Sequence, residues 1–248
     1  APQPTAQTEC SQPPAARTFP VHHHPTSSAP DPQLRLETLL VRSGTGTDPA
    51  TGAITTPIHL STAYGHPGLG ESTGYDYTRT ASPTRDVLQD ALARLEGGTA
   101  AFALSSGMAA LELVTRTLAP HGSRIVALRD LYGGSFRFLE VLAEEGAARV
   151  DFVLGVEGLR GALADPADLV IIETPTNPMM EEIAIPEAAE LAHAAGAKLV
   201  VDNTFYTPVV QRPLELGADV VVHSGTKYLG GHNDVMAGVA VVADDALA

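Results

Sequence analysis

Tryptophan is absent from this chain of 248 residues, and cysteine occurs once, as Cys10. A lone thiol builds neither an internal disulfide nor a multi-thiolate metal site, so the chain reads as one that works in a reducing compartment with no metal centre. Positive charge is scarce too: 15 basic side chains stand against 29 acidic ones, a formal net charge of -14. No polybasic surface is on offer to a phosphate backbone or an anionic bilayer, which argues against nucleic-acid and membrane partners. The uncharged stretch 49–70 exceeds a membrane span in length but is broken by Pro, Gly, Thr and His, and nothing near the N-terminus has the apolar character of a signal sequence. The expectation is a soluble, cytoplasmic protein. Lysine is the scarcest charged residue: 13 of the 15 basic positions are arginine, leaving only Lys198 and Lys227. Arginine replaces lysine wherever charge alone is needed but never serves as an amine nucleophile, so each lysine warrants inspection.

What is present suits a globular α/β protein. Hydrophobic residues make up 44% of the chain, enough for a buried core at this length. Residues 1–33 hold eight of the 19 prolines and no hydrophobic periodicity, and read as a disordered extension. The His22-His23-His24 run within it is assigned no metal. Residues 34–82, rich in Thr, Gly, Pro and Tyr, read as an arm that contacts a partner subunit. From Pro83 onward helical and strand patterns alternate. Helices are expected over Asp86 to Leu95, Met108 to Leu118, Ser135 to Glu145 and Pro186 to Ala195. Short apolar strands are expected over Ala100 to Leu104, Ile125 to Leu128, Val150 to Leu154, Leu169 to Glu173, Lys198 to Asp202, Val220 to His223 and Ala237 to Val242. Such alternation demands a mostly parallel sheet with helices on both faces.

Ligands of open α/β sheets bind beyond the carboxyl ends of the strands, so the polar residues that follow the apolar runs matter most. Those clusters are Ser105-Ser106-Gly107-Met108, Tyr132-Gly133-Gly134, Glu173 to Pro178, Asp202-Asn203-Thr204 and His223 to Tyr228. Ser106, Gly107 and Met108 open a helix, where free N–H groups and the helix dipole favour a phosphate, although Ser-Gly there also reads as an ordinary cap. Ser224 and Thr226 add hydroxyls. Asp202 closes an all-apolar strand, where a carboxylate needs a partner such as a cationic ring nitrogen, or else serves a turn. Lys227 follows the next strand and sits among small polar residues, as a Schiff-base lysine would, whereas Lys198 leads into a strand and reads as a solvated charge. Tyr132 is placed to stack on a ring. A Schiff-base lysine, an acidic partner for a pyridinium nitrogen and a phosphate-binding helix start are together what pyridoxal phosphate requires. A dinucleotide-binding reading rests on Gly44-Thr45-Gly46 alone and lacks the flanking strand and helix.

The ordered stretches Tyr77-Thr78-Arg79 with Pro83-Thr84-Arg85, Ser105 to Met108, Asp130 to Gly134, Glu173 to Pro178, Val201 to Thr204 and His223 to Tyr228 resemble the Cys/Met-metabolism family of pyridoxal phosphate enzymes, of fold type I. The likeness runs from about Leu34 to the last residue. Phe205 to Gly217 and Tyr228 to Asp234 further resemble its bacterial cystathionine γ-synthase and O-acetylhomoserine thiolyase branch.

The resemblance implies a fold type I cofactor domain over 83–248 and a role for each matching residue. Lys227 would hold the cofactor as a Schiff base and shuttle protons. Asp202 would keep the ring nitrogen protonated, and Tyr132 would stack on the ring and take part in catalysis. Ser106, Gly107, Met108, Ser224 and Thr226 would bind the phosphate. Tyr77 and Arg79 would reach the phosphate of a neighbouring subunit in a homodimer or homotetramer. Asn177 would lie by the ring hydroxyl and the carboxylate of an amino-acid substrate. Arg137 is either a further substrate contact or an exposed helix arginine. The implied reaction is γ-replacement on O-succinyl- or O-acetylhomoserine by cysteine, giving cystathionine in trans-sulfuration and methionine biosynthesis. Sulfhydrylase and cystathionine or methionine lyase activities share the same motifs.

Two departures accompany the likeness. Ser82 stands where members commonly carry Asn. No arginine follows Arg212, while members continue into a C-terminal domain that supplies the arginine gripping the substrate carboxylate. The expectation is therefore a chain without that domain, and a reading from another class is an inactive remnant that binds cofactor or pairs with full-length subunits.

Overall fold

The computed structural model describes residues 34–46, 48 and 50–248. The expected extension over 1–33, with Cys10 and the three adjacent histidines, lies outside the described residues. In chain order the elements are α1 (Leu36–Arg42), α2 (Pro83–Glu96), β1 (Ala100–Leu104), α3 (Gly107–Leu118), β2 (Ser123–Leu128), α4 (Gly133–Glu144) and β3 (Ala148–Val153). They continue as α5 (Gly155–Ala162), β4 (Leu169–Glu173), α6 (Ile185–Ala194), β5 (Lys198–Asp202), α7 (Thr207–Val210), a 3-10 turn (Pro213–Leu216), β6 (Val220–Ser224) and β7 (Gly238–Val242).

The strands form one seven-stranded sheet in the order β1-β7-β6-β5-β4-β2-β3. Strands β2 to β6 pair in parallel, and β7 runs antiparallel to both β6 and β1. Parallel neighbours require crossover helices, and these cover both faces, which is why β4 (Leu-Val-Ile-Ile-Glu) is buried along its whole length. Each Val or Ile side chain removed from water there contributes about 1.5–3 kcal/mol. On one face α3 packs on β6 and β7. On the other, Leu92 and Leu95 of α2 pack with Ala101, Val239 and Val241, and Leu36, Leu39 and Leu40 of α1 close over them. Helix α2 opens on Pro83, whose fixed φ suits the first helical position, and stops at Gly97, whose φ of 76° turns its N–H back to the Ala93 and Arg94 carbonyls.

The α/β class and the placement of the strands agree with the sequence reading. Three features differ. Helix α1 lies inside the arm, where no helix was expected, and α5 fills the unassigned interval between β3 and β4. Strand β7 reverses direction: the connection from Ser224 to Gly238 contains no helix, makes no crossover and brings β7 back antiparallel to β6. Ser82 is the buried residue preceding α2, and its carbonyl accepts from Asp86 N. No helix among the described residues is long and apolar enough to cross a bilayer.

Candidate functional site

The carboxyl ends of β1, β2, β4, β5 and β6 share one edge of the sheet, and β7 begins there, with Gly238 in register with Leu104 and Ser224. Close approach is built in by glycine. A Cβ on Gly238 would lie 1.8 Å from the Ser106 carbonyl oxygen, and one on Gly107 would lie 2.8 Å from both Cα and Cβ of Ser224. The start of α3 is thereby pressed against the end of β6. Ser106 caps α3: its Oγ accepts from Ala109 N at 3.1 Å and its carbonyl from Ala110 N at 3.1 Å. The N–H groups of Gly107 and Met108 have no acceptor one turn earlier, and Gly107 lies against Ser224, a local arrangement suited to an anion.

Two carboxyl groups occupy neighbouring strand ends, Glu173 of β4 in register with Asp202 of β5. Asp202 Oδ1 accepts from Thr204 N (3.0 Å) and Thr204 Oγ1 (2.5 Å), and that hydroxyl accepts in turn from Ser224 N (2.8 Å). Burial pushes the Asp202 carboxyl above its ordinary range, against the pull of the Thr204 bonds and of a positive His223. Glu173, buried, accepts from Tyr132 N at 2.5 Å. Burial and then the charge of Asp202 push it to about 8, despite the Tyr132 N–H. Two acids side by side, one of them holding its proton at neutral pH, leave a place that a cation stabilises.

The Tyr132 bond also fixes an aromatic platform. The Tyr132 ring lies against Gly134, where a Cβ would come 2.4 Å from ring Cε1 and 3.1 Å from Met108 Sδ. The loops after β2 and β4 are tied again by Thr176 Oγ1, which donates to Asp130 Oδ2 at 2.6 Å. Lys227 sits in the turn after β6, its N–H donating to Ser224 O at 3.1 Å and its carbonyl accepting from Gly231 N at 2.7 Å. Its side chain is exposed and in no ion pair among the described residues. Lys198, expected as a solvated charge, is instead bound to Asp219 Oδ1 at 2.8 Å, because β6 starts beside β5 and brings that carboxylate to it. The two lysines are thus separated by structure as well as by sequence.

The remaining expected residues divide. Asn177 is half-buried in the loop held by Thr176, and the Arg137 guanidinium folds back over Gly133 at the start of α4. The Thr226 hydroxyl donates to Ala237 O (3.3 Å) and accepts from Ala237 N (3.1 Å), so the donor expected for an anion is directed to the start of β7 instead. Tyr77 and Arg79 are on the arm, exposed and stacked on each other, the guanidinium carbon 4.8 Å from the ring centroid. Phe205 and Tyr228, which follow the Asp202 and Lys227 clusters, bring their rings to 6.1 Å. Glu173 and Thr204 received no role from sequence. A carboxylate closing an all-apolar strand, the signal that marked Asp202, was present for Glu173 as well.

These residues fit pyridoxal phosphate: a glycine-opened helix start beside a serine for the phosphate, a buried carboxyl wanting a cation for the ring nitrogen, a tyrosine platform for the ring and a free amine for the aldehyde. Residues 37–248 match the family described as Cys/Met metabolism PLP-dependent enzyme. The chain is 48% identical over 214 residues to cystathionine gamma-synthase/O-acetylhomoserine (thiol)-lyase of Bacillus subtilis, covering 86% of this chain and 57% of that protein. It is 40% identical over 215 residues to a cystathionine beta-lyase of Lactococcus lactis, with 86% and 56% covered. The crystal structure of cystathionine gamma synthase from Xanthomonas oryzae in complex with aminoacrylate and cysteine superposes with a TM-score of 0.84 at 42% identity, over 86% of this chain and 56% of that one. The chain spans little more than half the length of these relatives. With the mostly parallel sheet of fold type I and a site that suits the cofactor, it belongs to the Cys/Met metabolism family of PLP-dependent enzymes.

Proposed function

We propose that this chain carries the cofactor site of an enzyme that replaces the γ-substituent of an activated homoserine ester, O-succinyl- or O-acetylhomoserine, with cysteine to form cystathionine. The observation that carries this reading is the 48% identity over 214 residues to a cystathionine gamma-synthase/O-acetylhomoserine (thiol)-lyase. When bound, pyridoxal phosphate supplies an electron sink for charge developing at the substrate carbons. The chain's residues supply the rest. Gly107 N, Met108 N and Ser224 Oγ would hold the phosphate, with the Thr226 hydroxyl turned to Ala237 and Ser106 keeping its cap. The ionised Asp202 would hold a proton on the ring nitrogen, and Tyr132 would cover the ring face. Lys227 Nζ would anchor the cofactor and, once released, take the proton from the substrate Cα and return one at a neighbouring carbon. Asn177 and Arg137 would contact the amino-acid carboxylate.

Self-association to a homodimer or homotetramer belongs to the same reading. Tyr77 and Arg79, exposed on the arm, would reach the phosphate of a second copy. The likeness to a beta-lyase at 40% identity favours cleavage of cystathionine as the second reading. Purified chain loaded with pyridoxal phosphate, given O-acetyl- or O-succinylhomoserine with cysteine, is expected to release cystathionine. Consumption of cystathionine without its formation would select the lyase reading, and sulfide preferred to cysteine would select the sulfhydrylase.

A further inference from the structure

Behind the site, on the opposite face of the sheet, lies a buried polar network that the reaction as described does not use. Glu96 is the last residue of α2 and occupies the apolar side of that helix next to Leu92 and Leu95, with none of its side chain exposed. His223 is likewise fully enclosed. It is in register with Val239, which packs under α2, whereas its neighbour Ser224 points to the other face, towards α3. Glu96 Oε1 accepts from His223 Nε2 at 2.5 Å and from Asn203 Nδ2 at 3.1 Å. Asn203 Nδ2 also donates to Gln211 O (2.9 Å), while Gln211 Nε2 donates to Asn203 Oδ1 (3.0 Å) and Thr174 O (3.2 Å).

Each anchoring residue is the chain neighbour of a site residue. Thr174 follows Glu173, Asn203 follows Asp202 and His223 precedes Ser224. The Asp202 loop is therefore held from two sides, through Asn203 to Glu96 on one face and through Thr204 to Ser224 N on the other. Stability does not account for such an arrangement, since a well-packed apolar substitute for a buried ion pair is commonly as stable or more so. Glu96 Oε2 and His223 Nδ1 also have no hydrogen-bond partner among the described residues, a further cost of keeping the pair in the core.

We propose that Glu96 and His223 form a positioning pair for the cofactor's ring nitrogen: Glu96 fixes both His223 and Asn203, so that the Asp202 carboxylate is kept in place. The direction of the charge effect agrees, because a positive His223 favours ionised Asp202 against the penalty of its burial. Neither residue touches the cofactor, so neither is catalytic. The proposal rests on the assignment of Asp202 to the ring nitrogen.

Its test uses the 248-residue chain with added pyridoxal phosphate, read by absorbance titration and by the ring 15N resonances of His223. In the parent chain, cofactor binding should move the His223 resonances. Glu96→Gln keeps an acceptor oxygen but removes the charge. It should bind cofactor about tenfold more weakly, the scale of one lost charge-assisted interaction. A His223 signal unmoved in a chain that binds cofactor would overturn the proposal, as would parent affinity in a folded Glu96→Gln. Should that variant not fold, the resonances of the parent chain decide by themselves. The site assignment fails separately: a parent chain whose absorbance band is not abolished by Lys227→Ala would refute the site, and the positioning pair with it.

Discussion

Asp219 and Asp202 sit at opposite ends of neighbouring strands, Asp219 just ahead of β6 and Asp202 at the close of β5. Asp219 is met by Lys198 Nζ at 2.8 Å, His193 Nε2 at 2.9 Å and Leu199 N at 2.8 Å. Burial works against its charge, and these donors more than offset it, so its carboxyl lies below the ordinary range. Arg124 at the start of β2 is satisfied in the same way, by Asp151 Oδ2 and by the carbonyls of Ala162, Asp165 and Pro166. At the other edge Asp202 has, among the described residues, only Thr204 as a hydrogen-bonding donor to its side chain, and its carboxyl rises; Glu173 beside it rises to about 8. One edge closes its own charges and staples the sheet. The other leaves them for a ligand to close, which is how a binding site differs from a structural ion cluster made of the same residue types.

The contrast is broken most severely by exchanging the two aspartates for asparagine. Asp202→Asn should weaken pyridoxal phosphate binding by roughly 1.5–3 kcal/mol, or about 10- to 150-fold, with little loss of apo-protein stability. A titration in which Asp202→Asn binds like the parent would remove the reason for reading that edge as a site. Gly107→Ala comes next. Its Cβ would fall 2.8 Å from the Ser224 backbone, so α3 must move off β6, at a cost of about 1–3 kcal/mol in unfolding free energy and with weaker cofactor binding. Unaltered denaturation and binding curves would show that the helix start does not form the cradle.

Asp219→Asn should behave in the opposite way to Asp202→Asn. Cofactor affinity should hold, and stability at neutral pH should fall by about 1 kcal/mol, a modest figure because Lys198 is half-exposed and screened by solvent. Since the folded carboxyl lies below the reference value of 3.8, that contribution is present above this value and lost as pH falls through the folded pKa. Melting curves of the two proteins should converge in strong acid.

Glu173→Gln is expected to carry the reverse sign. Glu173 titrates at about 8 against a reference of 4.5, so the folded chain holds the extra proton between these values and loses stability as pH rises through that window. The Gln variant, still able to accept from Tyr132 N, should match the parent in acid and become the more stable apo-protein towards pH 8. Melting curves that stay parallel across this range would contradict the assignment of a neutral Glu173.

The sequence made the site edge legible because polar clusters followed apolar runs whose limits were plain. Strands β4 and β5 begin and end at the expected residues, and Asp202 is linked through Thr204 to Ser224 while Tyr132 is bound to the adjacent Glu173. What escaped was set by long-range packing. Helix α5 carries three glycines in eight residues, a composition that hides helical periodicity. The seven-residue α1 buries no residue fully and shows its meaning only against α2. The apolar run of β7 carries no sign of direction. Lys198 gains its partner from 21 residues away, and Glu96 and His223 are 127 residues apart, so nothing local marks either pairing. The Thr226 hydroxyl was claimed by Ala237, a neighbour that only the reversal into β7 supplies.

Absorbance of the purified chain with pyridoxal phosphate, before and after borohydride and beside Lys227→Ala, is the most direct test of the cofactor site. A reducible band in the parent that is lost in the variant is the predicted result. The account is contradicted by a band that survives the loss of Lys227, or by a folded chain that gives no band at all.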